Sequence, residues 1–191
     1  MGIGTVIVLG VLLVAVVYAV MIYNNLVQVK HNVSKAWANI DVLLKQRHDE
    51  LPKLIETCKQ YMKFEQDTLT KVMEARSKVF AARESQNIPQ LGQAEGALRA
   101  TLGSLFALAE AYPDLKTNQT FQQLQTRISS LENAIADRRE FYNESVNINN
   151  VRIEQFPDSI IAGMLHFKSA QLLEFSAEEK ADVDVKKLFG S

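Results

Sequence analysis

The sequence predicts an all-α protein, with an N-terminal single transmembrane helix followed by an antiparallel up-and-down four-helix bundle of long helices. Three observations carry this. Residues 1–27 hold no charged side chain, and 21 of those 27 are hydrophobic. Beyond them, apolar residues recur at three- and four-residue intervals, the signature of helices buried along one face. The 4 prolines stand at 52, 89, 113 and 157, leaving long stretches free of helix breakers.

The run Ile3–Tyr23 is apolar except for Gly4, Thr5 and Gly10. At ~1.5 Å per residue it makes a helix roughly 31 Å long, enough to cross a hydrocarbon core of ~30 Å. Tyr18 and Tyr23 suit an interfacial aromatic belt, with Asn24 and Asn25 at the water boundary. A cleaved signal peptide would have a basic leader and a shorter apolar core. No Lys or Arg precedes this run, so an uncleaved anchor over residues 1–24 is expected. Lys30 and Lys35 come after the span, and the positive-inside rule then places the C-terminal part in the cytoplasm.

Residues 25–157 carry the predicted bundle. Val33, Trp37, Ile40, Leu44, Arg47, Leu51 and Leu54 form one seam, which continues in phase through Cys58, Tyr61, Glu65, Thr68, Val72, Ala75 and Val79. Pro52 falls within it, and an internal proline removes a backbone donor. The expectation is a helix over about 25–50 and a second over about 53–84, or one long kinked helix with the same seam. Ser85–Pro89 breaks the pattern. A third helix comes next, with Leu91, Ala94, Leu98, Leu102, Leu105, Ala109 and Tyr112 on one side. It also carries a ridge of small residues, Gly92, Gly96, Ala100 and Ser104, which lets a second backbone approach closely. That backbone belongs either to the same chain or to another subunit.

Pro113-Asp114 ends the third helix, and Thr117-Asn118 supplies residue types that cap helix N-termini. The fourth seam runs Phe121, Leu124, Ile128, Leu131, Ile135, Arg138, Tyr142, Asn149, Ile153 and Phe156, stopping before Pro157. Residues 158–191 are expected to hold a short helix or apolar strap over Ile160–Phe175, then a loosely held acidic tail with Glu174, Glu178, Glu179, Asp182 and Asp184 against Lys180.

Composition excludes several chemistries. With 21 Lys+Arg against 22 Asp+Glu the net charge is -1, so no basic face for nucleic acid is expected. A single Cys removes disulfide frameworks and multi-thiolate zinc sites. No phosphate-binding glycine loop and no paired metal-binding histidines occur. Cys58 lies on the seam, where a thiol behaves as a small hydrophobe. No catalytic residue, cofactor or metal is predicted. The anomalous residues are charges in seam positions, Arg47, Glu65 and Arg138, with Asp41, Arg76, Glu132 and Arg139 close by in sequence. A buried charge costs several kcal/mol unless paired, so a structural polar seam of Asp41, Arg47, Glu65 and Arg138 is expected, with Glu65 and Arg138 the candidate partners at Arg47.

These residues together resemble the LemA family of small bacterial membrane-anchored proteins. The resemblance is carried by Tyr23-Asn24-Asn25, Trp37, Ile40-Asp41, Arg47, Leu51-Pro52-Lys53-Leu54, Glu65 and Ala75-Arg76. It continues through Ala109-Glu110-Ala111-Tyr112-Pro113-Asp114, Phe121, Glu132, Arg139, Tyr142-Asn143 and Phe156-Pro157. It implies an anchored four-helix bundle in the bacterial inner membrane. It brings no established reaction and no catalytic residues, and relatives are associated with membrane organisation, magnetosome membranes included. The partners expected are the lipid bilayer, further copies of the chain in a homo-oligomer and a membrane protein. The function expected is a non-enzymatic, self-assembling scaffold or membrane organiser. The alternative is an accessory or regulatory subunit of a membrane enzyme such as a protease or signalling complex.

Overall fold

The structure, a computed structural model, describes residues 2–174. These residues form six α-helices and no strand: α1 (Ile3–Tyr61), α2 (Gln66–Glu84), α3 (Ile88–Ala109), α4 (Pro113–Lys116), α5 (Gln119–Glu154) and α6 (Asp158–Met164). The chain divides into two compact units. One holds the residues up to Asn39 with Glu140–Leu172, and the other holds Ile40–Arg139 with the stretch from Leu173.

In the first unit, α1 begins as an unpartnered apolar rod, its side chains exposed through Met21 save for partial cover at Ala19. Burial starts at Ile22 and Leu26, which form a small core with Ala162 of α6, flanked by Ile153, Ile161 and Phe167. Trp37 meets Tyr142 of α5 edge-on, ring centroids 5.8 Å apart. After α6 the chain runs non-helically beside α5, held through its backbone. The Asn150 amide donates to the Ala170 carbonyl at 3.0 Å and accepts from the Ala170 N–H at 2.9 Å, and the Tyr142 hydroxyl donates to the Gln171 carbonyl at 2.9 Å. The region expected to be a short helix or strap is thus a short helix followed by a strap over its described residues. Phe175 and the acidic residues from Glu178 onward lie outside the described residues.

The second unit buries most of the seam residues read from the sequence. Phe156, expected to end the fourth seam, belongs instead to the first unit and is exposed at the corner before Pro157. Ile40, Leu44, Leu51, Leu54 and Cys58 of α1 are buried, as are Leu69, Val72 and Val79 of α2. From α3 come Leu91, Leu98, Leu102 and Leu105, and from α5 Phe121, Ile128 and Ile135. Two starts are capped by side chains: Asn87 accepts from the Gln90 N–H of α3 at 3.1 Å, and Asn118 from the Phe121 N–H of α5 at 3.0 Å. Each cap satisfies a donor that has no partner within its helix.

The first helix boundary differs from the expectation of separate helices over 25–50 and 53–84. α1 passes through Pro52 unbroken to Tyr61, and the chain turns at residues 62–65. Pro52 has no N–H to give the carbonyl of His48, four residues back. Arg76 of α2 replaces it, its Nε donating to that carbonyl at 2.9 Å. The turn contains neither Gly nor Pro. It is flanked by tertiary hydrogen bonds, from the Tyr112 hydroxyl to the Glu65 carboxylate at 3.2 Å and from the Asn118 amide to the Tyr61 hydroxyl at 3.0 Å.

Candidate functional site

Two places concentrate the unusual residues, a polar layer inside the second unit and an apolar cluster at the end of the exposed rod in the first. The polar layer centres on Arg47, whose side chain is 1% exposed. It occupies a seam position of α1, so the helix must turn it inward. Its Nη2 donates to Glu95 of α3 and its Nη1 to Glu132 of α5. Burial pulls the Arg47 guanidinium down, yet the two carboxylates more than offset this and hold its pKa above the ordinary arginine value. Burial pushes the Glu95 carboxyl above the usual carboxylate range, against the attraction of Arg47 and Arg139. Arg139 is itself buried. A cavity of about 10 Å³ lies among Glu95, Arg99, Glu132 and Arg139, room for roughly one water. Nε of Arg47 is buried and makes no hydrogen bond among the described residues.

The expected partners at Arg47 are therefore corrected. Glu65 lies at the turn before α2 and accepts from Tyr112, while Arg138 is exposed and its neighbour Arg139 turns inward. Glu95 was missed, though it stands four residues after Leu91 and three before Leu98, on the same seam. Asp41 accepts two hydrogen bonds from Arg83 of α2, at 2.6 and 2.9 Å. Burial of Arg83 is outweighed by that carboxylate, so its pKa is raised, the hydrogen bond to Asp41 being the largest influence.

Arg76 does more than repair the helix at Pro52. Its Nη2 lies 2.6 Å from Nε2 of His48, and the His48 ring lies against Phe80 with centroids 4.8 Å apart. Because arginine only donates, Nε2 accepts, and the ring proton is assigned to Nδ1. Burial first, and then the Arg76 charge, push the His48 pKa below its ordinary value. Cys58 is fully buried, and burial pushes its thiol up to about 12, so it stays a thiol and packs as one.

The ridge of α3 is divided. Gly92 is buried under the chain's own backbone: a Cβ there would collide with the Glu174 carbonyl oxygen, with the carbonyl carbon 3.4 Å away. Gly96 is half-buried, and Ala100 and Ser104 are exposed. Of the remaining motif residues, Pro113 opens α4 and Tyr112 precedes it. Asn24 is exposed beside Tyr23, whose ring meets Phe167 edge-on at 6.4 Å. Asn143 is half-buried on α5, and Phe156-Pro157 forms the corner into α6.

Among the described residues no group of three or more His, Cys, Asp or Glu is placed to hold a metal ion. An open trough of about 720 Å³ in the second unit is lined by Gln46, Gln119, Gln122, Gln123, Arg127 and Leu131, with Arg127 paired to Glu50 at 3.1 Å. α1 is, by length and composition, able to cross a membrane.

The sequence profile of the LemA family matches residues 36–186. The chain belongs to the LemA family. Protein LemA of Metamycoplasma hominis is 28% identical over 166 residues, covering 86% of this chain and 74% of that protein. Magnetosome protein MamQ 2 of Paramagnetospirillum magneticum is 32% identical over 81 residues, 42% of this chain and 30% of its own length. Magnetosome protein MamQ of Magnetospirillum gryphiswaldense is 32% identical over 78 residues, 41% of this chain and 29% of its own length. This LemA-family chain thus spans most of one relative and under a third of the two magnetosome proteins. None of these names denotes an enzymatic activity.

Proposed function

We propose that the chain is a single-pass protein of the bacterial inner membrane, non-enzymatic, which self-assembles and acts as a scaffold or membrane organiser. The observation that carries this reading is the exposed apolar run of α1 through Met21, followed directly by the buried Ile22, Leu26 and Val29. An apolar surface of that length beside a packed core calls for lipid. Lys30 and Lys35 after the span favour a cytoplasmic position for the helices beyond it. The buried seams of α1, α2, α3 and α5 fit an antiparallel four-helix bundle. Two of the relatives are named as magnetosome proteins, and the organiser reading extends that association to this chain.

Anchoring confines every copy to one surface and raises its effective concentration toward its neighbours. Ala100 and Ser104 offer an exposed small-residue surface for close approach. Copies sharing one membrane normal favour a cyclic homo-oligomer. The test is the particle size of the full chain solubilised gently from membranes, beside Gly96→Leu. A discrete multimer of the chain alone, reduced in size by Gly96→Leu, supports the reading. A wild-type monomer, or a stoichiometric foreign chain carrying all of the mass, refutes self-assembly.

A further inference from the structure

We propose that the Phe156 corner and the exposed face of α6 form a second contact with lipid, lying in the headgroup zone beside the exit of the transmembrane helix. The proposal rests on the anchor reading above and adds to it a surface that hydropathy does not single out, since α6 has only 7 residues. It concerns the first unit alone.

Depth is the first ground. α6 packs through Ile161 and Ala162 against Ile22 and Leu26. Ile22 lies one residue before the end of the apolar run, and Leu26 lies ~6 Å further along the helix. The headgroup layer extends ~5–7 Å beyond the hydrocarbon on each side of a bilayer. A segment docked on these two residues is therefore held at that level.

Exposure is the second. Phe156 is 82% exposed and Met164 70%, and Ile160 and Leu165 are each more than half exposed. Four large apolar side chains are exposed within ten residues, a concentration that calls for a partner. At this depth the partner already present is the bilayer that holds the anchor. Tyr23 and Phe167, in edge contact at the same level, match the aromatic preference of the interface.

Charge is the third. The carboxylate of Asp158 at the start of α6 is buried and accepts from Arg152 at 2.8 Å and Gln155 at 3.3 Å, so it presents no free anion to the membrane. Lys30 and His31 on α1 and His166 and Lys168 after α6 are solvent-accessible, Lys168 on the strap. Glu154, exposed at the end of α5, is the opposing charge. The ammonium groups of Lys30 and Lys168 suit anionic headgroups.

The experiment places an environment-sensitive fluorophore on the full chain in vesicles of phosphatidylcholine and phosphatidylglycerol. The positions are Met164→Cys, Leu165→Cys, Leu13→Cys within the anchor, and Phe64→Cys at the exposed turn before α2. Cys58 is buried and remains a thiol, so the introduced cysteine is labelled selectively. Labels at 164 and 165 are expected to be blue-shifted, quenched severalfold more by lipid with a shallow nitroxide than the label at 64, and weakly by aqueous iodide. If they behave like the label at 64 while that at 13 is quenched by lipid carrying a deep nitroxide, the anchor stands and the α6 contact is refuted. Protection from both quenchers at 164 and 165 means that protein covers the patch, which also refutes it. A label at 13 that escapes quenching by lipid carrying its nitroxide deep in the acyl chain refutes the anchor, and the α6 contact with it.

Discussion

Arg76 should be coupled energetically to Pro52, although they lie on different helices. Proline leaves the His48 carbonyl without its helical donor, and Arg76 Nε supplies a substitute at 2.9 Å. Arg76→Met keeps most of the aliphatic stem but strands that carbonyl. A buried unsatisfied acceptor costs ~1–3 kcal/mol, and this one is partly buried, so about 1–2 kcal/mol is expected. Pro52→Ala restores an N–H at the right position. In the Arg76→Met background that N–H rescues the carbonyl, whereas in the wild type it only competes with a partner already present. Pro52→Ala should therefore stabilise Arg76→Met by ~1–2 kcal/mol more than it stabilises the wild type. Loss of the Arg76 contact with the His48 ring is common to both arms of the cycle and cancels. For a chain of this size the difference corresponds to ~2–8 °C in Tm, readable by far-UV circular dichroism of the full chain in mild detergent. If the four proteins are additive within ~0.5 kcal/mol, Arg76 does not substitute for the missing donor and the reasoning fails.

At the polar layer, Arg47→Leu leaves two facing carboxylates without their shared cation and should cost ~3–5 kcal/mol, against ~1–2 kcal/mol for Glu95→Gln, which keeps an acceptor and leaves Glu132 in place. Denaturant midpoints in the same detergent order the two variants, and equal losses would refute the triad as the source of the cost. The pKa of His48 is depressed in the fold, so the neutral ring contributes stability that is present above its ordinary value of ~6.5 and lost as pH falls through the depressed value. Tm should fall between pH ~7 and pH ~5, and less in His48→Gln; an identical pH dependence in the variant would remove His48 as the cause. Gly92→Ala gains up to ~1 kcal/mol of helix propensity but drives a methyl into the Glu174 carbonyl, at ~1–3 kcal/mol. The net effect should be destabilising, with faster proteolysis near Leu173, and a raised Tm with unchanged proteolysis would mean that the strap simply yields.

Much of this protein was determined locally. The charge-free run through Tyr23 specifies an apolar helix wherever it is placed, because neither length nor composition depends on neighbours. The three- and four-residue spacing in α1, α2, α3 and α5 selects the buried face, since every helix must turn one stripe inward. Asn87 and Asn118 mark helix starts, because capping bonds span only three residues. Tertiary structure decided matters in which two local answers were equally good. An isolated Pro52 breaks a helix, but a guanidinium from α2 supplies the absent donor and α1 continues. The chain turns instead at residues 62–65, where tertiary hydrogen bonds do what Gly or Pro would have done in the sequence. Arg138 and Arg139 are three and four residues beyond Ile135, and helical spacing admits either one. Arg139 turns inward, beside the acids Glu95 and Glu132, and its neighbour faces water. Periodicity assigns faces to helices, but the pairing of charges depends on which faces meet, and that is set only when the helices pack.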